Sequence, residues 1–394
     1  MPLRIGYYLS SNAIGGLERH VLTLIDHLRR AHPIAVFCDA AEGSQFFFAE
    51  LKARGLSPRI LRAQDAVDRG VARPIVTSLP VILAARRAMA AAELDVIHFH
   101  AGQLGLMYAP VVASSMAGIR TRILTLHNPI LEHGRLRRFI ETRVLGRLSR
   151  VVAVSNHTKN ELVQKKGVAP ERVEVIPNGI ELGEFDHAME RGEARRALGL
   201  AEEDLVVGLV GRLHRLKGID LLIEAVPLAR ARAPRIKVVL LGSGPEEEPL
   251  RRLAEARGVT EAVLFAGYRS DARRLMPAFD ALVLPSRDES QSIALLEAMA
   301  CRKAVVAARV GGVPEVVVDG VTGILFPAEN VPALAEALVA LLNDPQKRAV
   351  MGGAGRARVR DRFAQDEMLR QTLSLYDTSA PSPAKVQAAS GSSS

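Results

Sequence analysis

Four residues in the second half of the chain have the types and spacing to bind a phosphorylated sugar. Glu289 and Glu297 lie eight residues apart around the start of a predicted helix, and Arg212 and Lys217 share one predicted strand-to-helix loop. Two fixed cations on one loop can neutralise a diphosphate and stabilise the charge that it gains as a leaving group. A carboxylate among apolar helix residues needs partners when it is buried, and the vicinal hydroxyls of a ribose would serve Glu297.

The helix that carries Glu297 is expected to begin near Ser290 or Ser292. A serine hydroxyl can cap the amides of a first turn, and the residues that follow, up to Ala300, are mostly strong helix formers. Free first-turn amides and the partial positive charge of a helix start attract anions such as phosphates. We therefore expect the four opening residues to contact that anion: Ser290, Gln291, Ser292 and Ile293.

The N-terminal half offers a second candidate phosphate contact. Gly15 and Gly16 lie where the loop after the first predicted strand enters a helix that starts near Leu17. Glycines there let backbone amides approach a phosphate closely, although the same pair suits an ordinary turn. Asp39 ends the second predicted strand, where the ribose-binding acid of a dinucleotide site would lie. The first loop lacks the G-x-G-x-x-G spacing of such a site, which argues against NAD binding.

The elements that position these residues alternate between short β-rich runs and helical patterns along nearly the whole chain. This alternation is typical of parallel sheets wrapped by crossover helices, whose ligands bind beyond the carboxyl ends of the strands. His98 and His100 close one predicted strand, and His127 with Asn128 closes the next. A lone histidine is more often structural than catalytic. Strands are expected at residues 3–8, 34–38, 59–61, 94–99, 122–126, 150–154, 173–176, 204–210, 237–241, 263–266 and 281–284.

The stretch from Pro285 to Gly323 resembles the signature segment of the retaining glycosyltransferases of family 4. That segment has an acid, seven residues, a second acid, then EAMA, a β-strand, GGVPE and DG-x-TG. Here these elements read Glu289, Glu297, EAMA at 297–300, GGVPE at 311–315 and DGVTG at 319–323. Gln291-Ser292 stands where the family often has Phe-Gly, and Cys301-Arg302 where it often has Cys-Gly. Both departures bear on which donor the enzyme would use more than on the class of enzyme.

The resemblance implies a GT-B fold, in which two Rossmann-like domains, each a doubly wound parallel sheet, face a cleft. It implies that Glu289 contacts the donor sugar, that Glu297 grips the ribose, and that Arg212 and Lys217 hold the diphosphate. It also implies that His127 contacts the transferred sugar, with His100 a weaker candidate. His127, Glu289, Arg212 and Lys217 are accordingly the predicted catalytic residues.

Further donor contacts follow from the same resemblance. Gly15 and Gly16 would line the donor cleft, and the strand ends at Gly244 and Tyr268 would flank the nucleotide base. No metal or other cofactor is implied for the reaction, in which the leaving phosphate would help to deprotonate the acceptor.

The predicted domain organisation has four parts. An acceptor-side Rossmann-like domain spans residues 1–185 and a nucleotide-sugar donor domain spans 186–363. A helix at 364–378 crosses back to the first domain, as the GT-B resemblance implies. The tail at 379–394 is rich in Ser, Ala and Pro, has nothing to bury, and is expected to be disordered.

Charge and composition set the range of partners. The chain of 394 residues has a formal net charge of +9 and a pI near 9.9, which favours anionic partners without choosing among nucleotides, nucleic acid and a bilayer surface. Codon bias alone could also produce a chain rich in Ala and Arg.

Cys38 and Cys301 form neither a disulfide framework nor a metal cluster, which indicates a reducing compartment. With neither a secretory signal nor an apolar run of the ~20 residues that span a membrane, we expect a cytoplasmic protein.

Residues 134–150 form a candidate basic amphipathic helix. Six arginines oppose an apolar face made of Leu136, Phe139, Ile140, Val144 and Leu148. This face can pack on the sheet while the arginines stay in water, or the arginines can attract an anionic membrane, and both can hold together. The second interpretation would place the protein peripherally at the inner face of the cytoplasmic membrane.

The sequence therefore predicts an enzyme, a retaining glycosyltransferase of cell-surface glycan assembly. Its donor would be a UDP-, GDP- or ADP-linked sugar, and its acceptor a hydroxyl of a glycan or lipid-linked intermediate of lipopolysaccharide, capsule or glycolipid; nucleic acid is not an expected partner. A sugar-nucleotide epimerase, or a phosphorylase with a pyridoxal cofactor, could be built on the same fold. A non-catalytic basic protein that binds lipid or nucleic acid is a third hypothesis, whose binding would weaken steeply with salt.

Overall fold

The chain divides into two compact units, which we call unit 1 and unit 2. The computed structural model describes residues 2–10, 15–39, 44–62, 79–102, 104–128, 130, 134–186 and 189–376. Unit 1 comprises Met1–Pro177 with Met368–Ser394, and unit 2 comprises Asn178–Glu367. The division therefore falls before Asn178, a few residues earlier than the predicted boundary near 185. The predicted disordered tail at 379–394 lies outside the described residues.

Unit 1 is built on a seven-stranded parallel sheet. Its strands are β1 (Ile5–Ser10), β2 (Ile34–Asp39), β3 (Arg59–Arg62), β4 (Val96–Ala101), β5 (Thr121–Leu126), β6 (Arg150–Ala153) and β7 (Val173–Val175), in the order β3-β2-β1-β4-β5-β6-β7. Its helices are α1 (Gly16–Leu28), α2 (Ser44–Ala53), α3 (Leu79–Ala90), α4 (Tyr108–Met116), α5 (Arg135–Leu145) and α6 (Asn156–Lys166). Every residue of β4 is buried, as expected for a central strand of a parallel sheet that is covered on both faces.

The two faces of this sheet bury different helices because successive side chains of a strand point to opposite sides. Tyr7 packs on one face with Val21 and Leu24 of α1, whereas Tyr8 packs on the other with Val111 of α4. Helices thus sandwich the sheet and hold the ends of β1, β4 and β5 in fixed register.

Unit 2 repeats this plan on a six-stranded parallel sheet. Its strands are β8 (Leu205–Val210), β9 (Ile236–Leu241), β10 (Val263–Phe265), β11 (Ala281–Leu284), β12 (Ala304–Ala308) and β13 (Gly323–Phe326), in the order β10-β9-β8-β11-β12-β13. The helices that follow are α7 (Arg191–Ala197), α8 (Ile219–Arg230), α9 (Glu247–Ala256), α10 (Ala272–Leu275), α11 (Ile293–Ala300), α12 (Val313–Val316), α13 (Val331–Leu342), α14 (Pro345–Arg362) and α15 (Gln365–Ser374). Beyond the unit boundary, Met368 and Leu369 of α15 and the following Tyr376 are buried in the core layer of unit 1 that includes α1.

Both sheets show the strand order of doubly wound nucleotide-binding folds. In that order the chain reverses direction across the sheet at one point, and ligands bind beyond the strand ends there. The point lies between β1 and β4 in unit 1 and between β8 and β11 in unit 2. The loops that leave these four strands are therefore the places to look for functional side chains.

The predicted basic helix at 134–150 is confirmed over Arg135–Leu145 only, as α5. One residue of its predicted apolar face is wrong, and the side chain of Leu136 lies outside the described part of the structure. Val144 and, just beyond the helix, Leu148 are buried in the core, whereas Phe139 is 56% exposed. Glu141 is buried on the same helix and accepts a hydrogen bond from Lys166 at 2.7 Å. Among the described residues, no helix combines the length and apolar character needed to cross a bilayer.

Candidate active site

The loops after β8 and β11 bring two of the predicted catalytic residues into direct contact. The Nζ of Lys217 donates to Oε2 of Glu289 at 2.6 Å. The Glu289 side chain is 10% exposed and that of Lys217 is 29% exposed, so the pair is partly open to solvent. This is the switch point of the unit 2 sheet, where an anionic ligand is expected.

Two glycines with left-handed backbone allow these loops to pack closely. At Gly311 φ is +51°, and a Cβ there would lie 2.0 Å from the carbonyl oxygen of Glu289. The amide of Gly312 donates to that same oxygen at 2.9 Å. At Gly218 φ is +63°, and a Cβ would lie 2.0 Å from the carbonyl oxygen of Pro285. The GGVPE motif and the Lys217-Gly218 step therefore fix the backbone on either side of the Lys217–Glu289 pair.

Further glycines end the neighbouring strands of unit 2. The amide of Gly211, just after β8, donates to the carbonyl of Leu241 in β9, and the amide of Gly242 donates to the carbonyl of Gly267 after β10. A Cβ at Gly244 would lie 2.2 Å from the carbonyl oxygen of Leu213. The predicted contact Gly244 thus lies against the loop that also carries Arg212 and Lys217.

Glu297 is buried in α11 and is paired with an arginine that the sequence analysis did not identify. It is 2% exposed, and Nε of Arg273 donates to its Oε1 at 2.6 Å. Arg273 also pairs with Glu184. Burial is the largest single influence and lowers the pKa of the Arg273 guanidinium, but the charge and hydrogen bond of Glu297 together with the charge of Glu184 raise that pKa by more, so the net shift is upward. No sequence pattern marks Arg273, since it lies on a helix of only four residues.

The segment that precedes α11 is buried, and some of its polar atoms lack hydrogen-bond partners among the described residues. The helix begins at Ile293, and Ser292 holds the N-cap position without a side-chain capping bond, so the predicted serine cap is wrong there. Oε1 of Gln291 accepts from the amide of Asn178 at 2.6 Å. Within the described part of the chain, Oγ of Ser290 and Oδ1 of Asn178 are buried with no hydrogen-bond partner. Two polar atoms without partners beside a helix start suit a polar ligand.

The remaining predicted contacts of unit 2 lie nearer the surface. Arg212 is exposed on the loop after β8, and Tyr268 is 41% exposed after β10. The predicted contact of Arg212 with the diphosphate and that of Tyr268 with the base stay predictions.

Unit 1 gathers its histidines at the ends of β4 and β5. Nδ1 of His100 lies 3.1 Å from Nε2 of His127. His98 is fully engaged elsewhere: its Nδ1 lies 2.7 Å from the Tyr376 hydroxyl and its Nε2 lies 2.7 Å from the Thr125 hydroxyl. His98 is therefore a structural residue that ties the C-terminal segment to the sheet.

These histidines are held in the neutral form. Burial lowers the pKa of His98, His100 and His127 well below the ordinary value, and neighbouring histidines add to the shift. A neutral imidazole can donate through one nitrogen and accept through the other. His127 could thus position a sugar hydroxyl without carrying charge.

His20 joins this group and was missed by the sequence analysis. Its ring centroid lies 5.3 Å from that of His100 and 4.9 Å from that of His127. The only signal in the sequence is its place on α1, four residues after Gly16. The nearby Gly15 amide donates to Oε2 of Glu18 at 2.8 Å. The amide that was predicted to contact a phosphate therefore donates its hydrogen bond to a carboxylate of the same helix.

The comparisons with known proteins match both halves of the chain. The model of the family described as "Glycosyl transferases group 1" matches residues 190–358, and that described as "Glycosyltransferase Family 4" matches residues 14–184. The D-inositol 3-phosphate glycosyltransferase of Actinosynnema mirum is 33% identical over 301 residues, which is 72% of each chain. The GDP-mannose-dependent alpha-(1-6)-phosphatidylinositol monomannoside mannosyltransferase of Mycolicibacterium smegmatis is 29% identical over 359 residues, 87% of this chain and 89% of the relative.

A solved structure shares the fold over nearly the full length. Anabaena HepE in complex with UDP and glucose aligns with a TM-score of 0.82 and 25% identity, covering 95% of this chain and 100% of that one. The predicted fold class, two Rossmann-like parallel-sheet domains of the GT-B type, is confirmed.

Proposed function

Because this chain belongs to glycosyltransferase family 4, we propose that it moves a sugar from a nucleotide-diphosphate donor to a hydroxyl acceptor with retention of anomeric configuration. The observation that carries the proposal is the 2.6 Å contact of Lys217 with Glu289 at the switch point of unit 2. A cation there can neutralise the leaving diphosphate, while the carboxylate beside it can accept hydrogen bonds from the sugar.

The proposed roles follow from charge and position. Lys217 and Arg212 supply positive charge to the diphosphate, so the proposal assigns no metal to the transfer step. Glu297, held by Arg273 at 2.6 Å, accepts hydrogen bonds from the ribose hydroxyls. His127 positions the transferred sugar, and the leaving phosphate helps to take the proton from the acceptor.

The proposed acceptor is a hydroxyl of a cell-surface glycan or glycolipid precursor. The mycolicibacterial relative is named for a lipid acceptor, and α5 presents Arg138 and Arg143, with Arg147 just beyond, to solvent. Such arginines can attract an anionic membrane without insertion. Replacing all three with glutamine should abolish sedimentation with anionic vesicles and leave transfer to a water-soluble acceptor intact; unchanged sedimentation would remove the membrane part of the proposal.

The donor is tested first by thermal shift with UDP, GDP and ADP and their sugars. A ligand at one hundred times its Kd stabilises the native state by about 2.7 kcal/mol. For a unit of this size that corresponds to a rise in Tm of roughly 5–10 °C. One nucleotide should stabilise the protein and the others should not.

The transfer itself is tested by incubating the stabilising sugar nucleotide with inositol phosphate and glycolipid acceptors. Retention predicts that the anomeric proton coupling of the product, measured by NMR, matches that of the donor. Product formed from the sugar nucleotide without an acceptor would instead support an epimerase. Inversion at the anomeric carbon would overturn the retaining mechanism.

A further inference from the structure

Three histidines of unit 1 converge from separate elements. His20 comes from α1, His100 from β4, and His127 from the residue that follows β5. One ring nitrogen from each lies within 4.8 Å of the others, and all three residues are buried. The tertiary fold of unit 1 brings these residues together, since they lie far apart along the chain.

We propose that His20, His100 and His127 form a binding site for a zinc ion, with a fourth position left for water or an anion. Imidazole nitrogen is a preferred zinc ligand, and three histidines with one open position form a common zinc arrangement. We assign no metal to the proposed glycosyl transfer, and His127 is the one residue that the zinc site shares with it.

The spacing of the rings suits a single tetrahedral ion. With Zn–N bonds of about 2.0–2.1 Å, a tetrahedral ion holds the centroids of its imidazole ligands about 5.2 Å apart. The three observed centroid separations are 5.3 Å for His20–His100, 4.9 Å for His20–His127 and 5.4 Å for His100–His127. The ring torsion of histidine is soft, so the nitrogens can turn toward a common centre with little movement of the rings.

The hydrogen bonding of the histidine ring nitrogens also favours a bound ligand. Nδ1 of His100 lies 3.1 Å from Nε2 of His127, so an ion held through these two atoms would replace that hydrogen bond. Nε2 of His100 is buried and has no hydrogen-bond partner among the described residues, which leaves a second nitrogen of the same ring available to a ligand. The neighbouring His98 cannot serve, because Tyr376 and Thr125 take both of its ring nitrogens. His20 and His127 retain 6% and 8% exposure, whereas His100 is fully buried.

An ion at this position would hold the His127 ring that we propose to contact the sugar. Zinc binding and sugar contact would therefore compete for one side chain. The metal site itself does not depend on that role, because it is defined by the three rings alone.

The test uses the full-length chain without a histidine tag, freed of metal by a chelator. Cobalt(II) serves as the probe, since it takes zinc sites and gives visible absorption bands that are intense in four-coordinate geometry. Titration should show one ion per chain, and zinc should displace the cobalt and abolish the bands. Calorimetry with zinc gives the affinity independently.

Two ligand variants and one matched control complete the experiment. His20→Asn and His127→Asn should each weaken zinc binding by more than the roughly 10–100-fold effect expected of changes around a metal site. His27→Asn, on the exposed face of the same helix α1, should bind as the unaltered protein does. Circular dichroism establishes that each variant is folded.

Two results would overturn the site. One is a wild-type protein that gives no four- or five-coordinate cobalt spectrum. The other is zinc affinity in a folded His20→Asn protein equal to that of the His27→Asn control. Either result leaves the proposed transfer activity untouched, because neither measurement uses a sugar donor.

Discussion

The ammonium of Lys217 lies 2.6 Å from the carboxylate of Glu289, although 72 residues separate them along the chain. Their loops leave β8 and β11, which are neighbours in the sheet of unit 2. The parallel strand order thus converts two distant loops into one charged pair. In the proposed function, a diphosphate bound at this point would pair with the Lys217 ammonium, and the Glu289 carboxylate would then contact the sugar.

Lys217→Met should lower kcat of the proposed transfer by about 10²–10³-fold, the usual effect of removing one preorganised charge donor from a transition state. The reason is that the leaving diphosphate would lose a fixed cation. Lys237→Met is the matched control, since Lys237 is a lysine of the same unit whose Nζ donates to the carbonyl of Glu261 at 2.7 Å. Equal kcat in the two variants would refute the role of Lys217.

A double-mutant cycle with Glu289→Gln should show that the two residues act as a pair. Groups in direct contact typically couple by 0.5–3 kcal/mol, so the double variant should lose less activity than the two single losses multiplied together. The measurement is kcat/KM for the four proteins. Strict multiplication of the two losses would mean that the residues act independently.

Much of this arrangement could be predicted from the sequence, for a physical reason. Alternating strand and helix patterns imply parallel sheets, and polar residues at strand ends then meet at one edge. Glu289 and Lys217 follow this rule, because each lies on a loop that leaves a central strand. The strand order then places the two loops side by side, and the close packing at Gly218 and Gly311 sets their positions.

Other parts of the site could not be predicted. Arg273 reaches Glu297 from a single helical turn that leaves no periodic pattern. His20 meets His127 because of how α1 packs on the sheet, and a hydrophobic pattern gives the buried face of a helix without giving distances between polar side chains. Ser292 shows the limit of residue preference, since it occupies the N-cap without making the capping bond.

Gly311→Ala should disturb the site through the backbone. A Cβ there would lie 2.0 Å from the carbonyl oxygen of Glu289, and φ is +51°. Displacing Glu289 by about 1 Å would lower kcat by roughly 100-fold. Gly258→Ala is the control, because Gly258 has φ of +65° and nothing within 4 Å of an added Cβ.

The comparison separates backbone strain from displacement. Both variants should lose about 1–2 kcal/mol of stability from the left-handed conformation. Gly311→Ala should lose more than Gly258→Ala in urea unfolding, because its Cβ also meets backbone at 2.0 Å. Only Gly311→Ala should also lose activity. Full activity in Gly311→Ala would show that the position of Glu289 does not depend on this glycine.

Glu297→Gln should raise the KM for the sugar nucleotide and leave kcat nearly unchanged. A hydrogen bond to a charged group contributes about 1.5–3 kcal/mol, which corresponds to a change in KM of roughly 10- to 150-fold. A ribose contact is made equally in the ground and transition states, so it affects binding more than chemistry. Glu336→Gln, which removes an exposed acid paired with Arg232, is the control. A loss confined to kcat would assign Glu297 to the reacting sugar instead.

Unit 1 should lose stability as the pH falls below about 6.5, the ordinary pKa of histidine. Burial lowers the pKa of His98, His100 and His127 in the folded protein. The unfolded chain therefore takes up protons that the native state refuses. Stability is fully present above pH 6.5 and declines by up to about 1.4 kcal/mol per pH unit for each such histidine.

His98→Phe should make the free energy of unfolding depend less steeply on pH, by the contribution of one histidine, which is up to about 1.4 kcal/mol per pH unit. Urea unfolding followed by tyrosine fluorescence measures it, because the chain has no tryptophan and five tyrosines, of which Tyr7, Tyr8, Tyr108 and Tyr376 belong to unit 1. The exposed His27→Asn variant controls for the loss of a histidine as such. An unchanged slope in His98→Phe would mean that His98 accepts a proton in the native state, and its bonds to Tyr376 and Thr125 would then have to tolerate a charged ring.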